Sequence, residues 1–92
     1  MRVLAGAAGA WGSADGVGAG ARFASPRAVV WHCRALYVVE GGSQGVRRVS
    51  YPGGQVTTLR AGGSPLAFPT SLCVSPCGCL FVSCMTAIYR IC

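Results

Sequence analysis

FASPRAVVWHCRALYVVE at Phe23–Glu40 and FPTSLCVSPCGCLFVSC at Phe68–Cys84 are the two stretches that decide how this chain reads. Each runs Phe, Pro, a short apolar segment, a turn-like stretch and then Leu-aromatic-Val. Pro26 answers to Pro69 and Leu36 to Leu80. Downstream, VRRV at Val46–Val49 answers to IYRI at Ile88–Ile91. Order and spacing agree, so the chain carries an internal repeat rather than a coincidence of composition.

Within the first repeat the residues predict four strands, at Ala28–Trp31, Leu36–Glu40, Val46–Ser50 and Gln55–Leu59. LYVV and QVTTL are rich in side chains that fit a pleated sheet. GGSQG at Gly41–Gly45 and YPGGQ at Tyr51–Gln55 read as turns, because Gly supplies positive φ and Pro pre-sets the corner. Four antiparallel strands in a unit of roughly 40–45 residues is the pattern of a β-propeller blade. The second repeat supplies three such strands.

Bulk composition agrees with a small all-β domain. The chain has 92 residues, 52% hydrophobic and 11% charged, the reverse of a disordered chain. Its 14 glycines and short apolar runs argue against helices. No run is long enough for a membrane-spanning helix, so no membrane span is expected. MRVLAGAAGAWG has a faint look of a signal peptide, but Gly6 and Gly9 interrupt its apolar run.

All eight basic residues are arginine, against the two acids Asp15 and Glu40, for a net charge of +6. Only Arg47 and Arg48 are adjacent. A phosphate-binding site needs clustered charge, so the scatter argues against nucleic acid as a partner and in favour of a compositional bias. The six cysteines fall at 33, 73, 77, 79, 84 and 92. Cys77-Gly78-Cys79 is C-x-C and not C-x-x-C, and the only histidine, His32, is far upstream. No metal site and no cofactor are expected from that spacing. Free thiols on and around strands are the expected state of the cysteines.

The stretches GSADG at Gly12–Gly16, ARF at Ala21–Phe23, Pro26, LYV at Leu36–Val38, Val46 with Arg47, and VTTL at Val56–Leu59 together resemble the NHL repeat family. The likeness is close from Val3 to Gly63 and looser from Phe68 to Ile91. It implies an all-β fold of two four-stranded antiparallel propeller blades in an incomplete ring. Residues 1–22 would be the tail of a preceding blade and an inter-blade connection. Residues 23–63 would be the first blade, and residues 64–92 a second, truncated blade.

Under this resemblance Val3-Leu4-Ala5-Gly6 matches Thr58-Leu59 and Ala61-Gly62, at the end of the first blade. Arg2–Leu4 would then be a strand, Asp15-Gly16 a tight turn, and Phe23 a wedge between blades. Pro26 would open the inner strand, the position a strand permits to proline. The sequence departs from the family where Asp usually follows the Leu-Tyr-Val strand: Glu40 stands there in the first blade and Cys84 in the second. HCRA and PCGC replace the usual Asp-Gly type of turn.

The resemblance implies a non-catalytic binding or scaffold segment, with Arg47, Arg48, Trp31 and His32 as the candidate binding residues and a protein as ligand. Further blades, or further copies of the chain, are the expected partners. Two other readings stay open. One is part of a propeller lyase or hydrolase whose active site lies in blades outside this chain. The other is a weak RNA-binding surface. No catalytic residue is expected here, since His32, Asp15 and Glu40 lie on different elements and no triad order has support.

Overall fold

The computed structural model describes residues 2–7, 9–10, 12, 14–41, 46–59 and 69–91. The expected turn residues at 42–45, the connection at 60–68 and Cys92 lie outside the described residues.

Among the described residues, eight strands form two antiparallel sheets. They are β1 (Gly16–Val17), β2 (Pro26–His32), β3 (Ala35–Glu40), β4 (Val46–Ser50), β5 (Gln55–Leu59), β6 (Ser71–Val74), β7 (Leu80–Ser83) and β8 (Ile88–Ile91). Sheet I has the order β1-β5-β4-β3-β2 and sheet II the order β6-β7-β8. The chain is therefore all-β, apart from a single 3-10 turn at Gly18–Gly20 among the described residues. Two expected strands, Val46–Ser50 and Gln55–Leu59, have the same bounds in the structure. The other two are longer: Pro26 opens β2 and Ala35 opens β3.

Alternation of side chains explains how the layers pack. On one face of sheet I, Val39 and Val46 meet Leu80 and Val82 of sheet II, with Ala28, Val30, Tyr37 and Leu59 around them. Val39, Val46 and Val82 are fully shielded from water. Burying a side chain of this size stabilises a fold by about 1.5–3 kcal/mol. The strands β2, which opens on Pro26, and β6, which follows Pro69, lie side by side where the sheets meet. On the opposite face of sheet I, Val38, Val49 and Val56 pack under Ala21, Leu4, Ala5 and Phe23. Sheet I is thus a central layer, covered by sheet II on one side and by the N-terminal segment on the other.

The N-terminal segment departs from expectation in three ways. Arg2–Leu4 is not a strand. Leu4 and Ala5 instead drop onto the face of sheet I, and Gly6 turns the chain at φ +86, its N–H donating to Gly18 O at 3.0 Å. Asp15-Gly16 is not a tight turn. Gly16 and Val17 form β1, an added fifth strand beside β5, paired Gly16↔Val56 and Val17↔Gln55. Phe23 does not enter the core between the two sheets, because it belongs to the N-terminal cover on the other face.

Glycine is required where this cover approaches closely. A Cβ on Gly6 would come within 2.9 Å of the Phe23 ring. A Cβ on Gly54, at φ +72 in the β4–β5 turn, would come within 2.8 Å of the Leu4 carbonyl oxygen. The backbone at Leu4 is thereby seated against that turn.

Candidate functional site

The four candidate binding residues separate into two places and one remainder. Arg47 lies inside the protein, Trp31 and His32 stand together at one end of the sheets, and Arg48 is half-buried in β4 on the face opposite Arg47.

Alternation along VRRV sends Val46 and Arg48 to one face of sheet I and Arg47 and Val49 to the other. The Arg47 side chain is 0% exposed, so it presents nothing to a ligand. Its Nη1 donates to Glu40 Oε1 at 2.9 Å and to the Arg22 carbonyl at 3.1 Å. Its Nη2 donates to the Ala14 carbonyl at 2.9 Å and to Asp15 Oδ1 at 3.2 Å. Asp15 also accepts from Thr58 Oγ1 at 2.7 Å, and the other oxygen of Glu40 accepts from the Ala24 backbone N–H. The Phe23 ring lies beneath the guanidinium, 4.9 Å from its centre. Only Nε lacks a partner among the described residues.

The planar fork of five donors is what makes this arrangement available to Arg and not to Lys. One guanidinium ties the Ala14–Ala24 segment to strands β3 and β4. Asp15 of GSADG, read from sequence as a turn residue, and Glu40, read as the end of the Leu36–Glu40 strand, are the anionic half of the same structural knot.

Trp31 and His32 close β2 beside a two-residue turn. Cys33 and Arg34 both have positive φ, 49° and 61°. That is the backbone a tight hairpin of twisted strands needs, and it normally draws Asn or Gly. The Arg34 carbonyl accepts from the Tyr51 N–H at 3.0 Å, which joins this turn to the β4–β5 turn. Trp31 and Tyr51 meet edge to face, with centroids 5.7 Å apart and planes at 75°. Both remain about half exposed, at 54% and 51%. Trp31 is therefore not a core residue, and the Trp31–Tyr51 partnership has no local sequence signal to reveal it.

His32 is half-buried. Its Nε2 lies 3.2 Å from Cys33 Sγ, and its ring rests against Gly78 in the β6–β7 turn. This end of the molecule thus gathers turns from both sheets. Cys77, exposed in the same β6–β7 turn, shares a 3.2 Å hydrogen bond with Ser75 Oγ. That bond holds its thiol below the ordinary cysteine range. Cys33 and Cys73 are also free, exposed thiols, whereas Cys79 is disulfide-bonded, a departure from the free-thiol expectation. Among the described residues no group of three or more His, Cys, Asp or Glu converges in a way that could hold a metal ion. No helix among them is long and apolar enough to cross a membrane.

The third feature is an open apolar groove of ≈ 390 Å³ on the N-terminal face of sheet I, lined by Leu4, Phe23, Val29, Leu36, Val38 and Val49 among others. Its lining carries almost no convergent polar chemistry, so it suits an apolar surface better than a small polar substrate.

No protein-family description, no characterised protein and no solved structure matches the chain.

Proposed function

We propose that the chain is a non-catalytic binding segment of an NHL-like β-propeller, made of two blade units, that engages a protein partner through the Trp31–Tyr51 end. The architecture part of this reading is supported by strand order. β2-β3-β4-β5 and β6-β7-β8 are successive meanders, stacked face to face with their first strands adjacent.

The single observation that carries the binding reading is the exposed aromatic pair. Trp31 and Tyr51 are held by a backbone hydrogen bond between two turns, yet half of each ring stays in water. Rigid, half-exposed Trp and Tyr beside an arginine are the side chains that dominate protein interfaces. His32 and Arg34 complete that end, while Arg47 belongs to the framework.

The test is selection of a peptide from a display library on the immobilised chain, followed by titration into isotopically labelled protein. The reading expects shifts centred on Trp31, His32, Arg34 and Tyr51, and loss of binding in Tyr51→Ala. Shifts confined to other surfaces would overturn it. A titration with polyuridylate that instead moves the exposed arginines with a steep salt dependence would favour the RNA-binding reading.

A further inference from the structure

Cys33 and Cys77 occupy matching turns. Cys33 lies between β2 and β3, where His32 pairs with Ala35, and Cys77 lies between β6 and β7, where Val74 pairs with Leu80. Each stands three residues before its leucine, Leu36 or Leu80. Because β2 and β6 lie side by side, the two turns come to the same end of the molecule. Both thiols are free and exposed.

The His32 ring stands between the two turns. Its Nε2 lies 3.2 Å from Cys33 Sγ, and 3.4 Å from the place a Cβ on Gly78, the neighbour of Cys77, would occupy. An imidazole nitrogen at that distance can take the proton of the Cys33 thiol. The Cys77 thiol has a different partner. Ser75 Oγ accepts from the Cys79 N–H at 3.1 Å, which leaves its O–H free to donate to Cys77 Sγ at 3.2 Å. A hydroxyl donating to sulfur stabilises the thiolate, so the Cys77 thiol titrates below its ordinary range.

The two thiols are therefore equipped for different steps. Cys77 is disposed to attack as a thiolate, and Cys33 has a base beside it. The groups do not converge as a metal shell, so the chemistry they support is that of sulfur itself. We propose that Cys77 and Cys33 form a paired oxidation site for hydroperoxides, in which Cys77 is oxidised first and Cys33 then closes a disulfide across the junction of the two sheets. In the first step the Cys77 thiolate attacks one oxygen of the hydroperoxide. The O–O bond breaks, Cys77 becomes a sulfenic acid, and the leaving alkoxide or hydroxide takes a proton from water. In the second step His32 takes the Cys33 proton and the Cys33 sulfur attacks the Cys77 sulfur. The S–O bond breaks, and hydroxide leaves as water with the proton that His32 held. Two thiols lose two electrons in all, and the hydroperoxide is reduced to an alcohol, or to water, and one further water.

A disulfide needs Cβ atoms about 3.5–4.5 Å apart, so the second step requires the β6–β7 apex to swing toward Cys33. Pro76 and Cys77 at that apex are exposed, and the apex can move without uncovering the core. The Ser75–Cys77 hydrogen bond is given up in the process. The site does not rest on the Trp31–Tyr51 binding reading, and its test involves no partner.

The experiment treats the 92-residue chain, dilute and with its Cys79 disulfide left intact, with a slight excess of hydrogen peroxide. Acid quenching and peptide mapping then locate the products. Variants are first checked by circular dichroism for a native-like spectrum. The wild type is expected to lose two thiols per molecule and to yield a Cys33–Cys77 crosslink within one chain. Cys77→Ser should abolish the crosslink. Cys33→Ser should leave Cys77 as a sulfenic acid that dimedone traps, where the wild type is trapped little. His32→Phe keeps a ring between the turns but removes the base. It should leave the rate of Cys77 oxidation unchanged and slow disulfide closure about tenfold or more, the scale of a lost general base. A Cys33 that remains a free thiol after Cys77 is oxidised, or a Cys77 that crosslinks instead to Cys73 or to a second molecule, overturns the proposal.

Discussion

Arg47 Nη1 lies 2.9 Å from Glu40 Oε1, and both side chains are wholly shielded from solvent. The pair is linked further to Asp15, whose side chain is half exposed, so the knot runs from the interior to the surface. Removing one partner of a buried pair leaves an uncompensated charge, which costs more than the pair itself contributes.

Glu40→Gln and Arg47→Met are each expected to destabilise the fold by about 3–5 kcal/mol. The double variant Glu40→Gln with Arg47→Met should recover a large part of that loss, because no charge is then stranded. Urea unfolding of the four proteins measures the coupling. Additive losses would show that the two side chains act independently.

The Cys33-Arg34 turn holds two non-glycine residues at positive φ. That conformation costs an L-residue about 1–2 kcal/mol, partly offset in a glycine variant by its greater unfolded-state entropy. Arg34→Gly is therefore expected to raise stability by roughly 0.5–1 kcal/mol. Thermal unfolding against the wild type reads this directly, and a lower midpoint would contradict it.

Cys77 titrates below the usual thiol range because Ser75 Oγ hydrogen-bonds its sulfur. Alkylation requires the thiolate, so Cys77 should be labelled by iodoacetamide at lower pH than an unperturbed thiol. Ser75→Ala should move the midpoint of that profile upward. Since the folded pKa is depressed, the bond favours the folded state above the unfolded thiol's pKa, and that contribution fades as pH falls through the folded value. Peptide mapping of labelled protein across pH gives the profile.

Gly6 sits at φ +86 with the Phe23 ring where a Cβ would go. Gly6→Ala is expected to cost about 1–3 kcal/mol, from a strained backbone and a displaced ring together. Hydrogen exchange should show the loss first in the N-terminal cover and the neighbouring Gly6–Gly18 hydrogen bond, with β3 and β4 opening later.

Much of the strand frame was legible because its signals are local. Prolines, glycine-rich turns and runs of Val, Tyr and Thr mark strand ends over a few residues, so Val46–Ser50 and Gln55–Leu59 are bounded in the sequence as they are in space. The paired starts at Pro26 and Pro69 likewise foretold two similar meanders. Arg2–Leu4 reads as a strand by likeness to Thr58-Leu59, but a strand exists only where a neighbour accepts its backbone hydrogen bonds. That segment instead buries Leu4 and Ala5 as side chains.

The candidate site shows the same division. In VRRV nothing local separates Arg47 from Arg48. Tertiary structure decides, because strand alternation turns Arg47 toward the face where Asp15 and Glu40 converge and turns Arg48 away. Tyr51 joins Trp31 only because two turns from different hairpins are tied by a backbone hydrogen bond. By itself the sequence determined the repeat, the all-β character and the places where the chain turns, all consequences of neighbouring residues acting through backbone geometry. Which arginine is buried, which aromatics pair and which face of sheet I stays open depend on contacts between residues far apart in the chain, so only the assembled layers decide them.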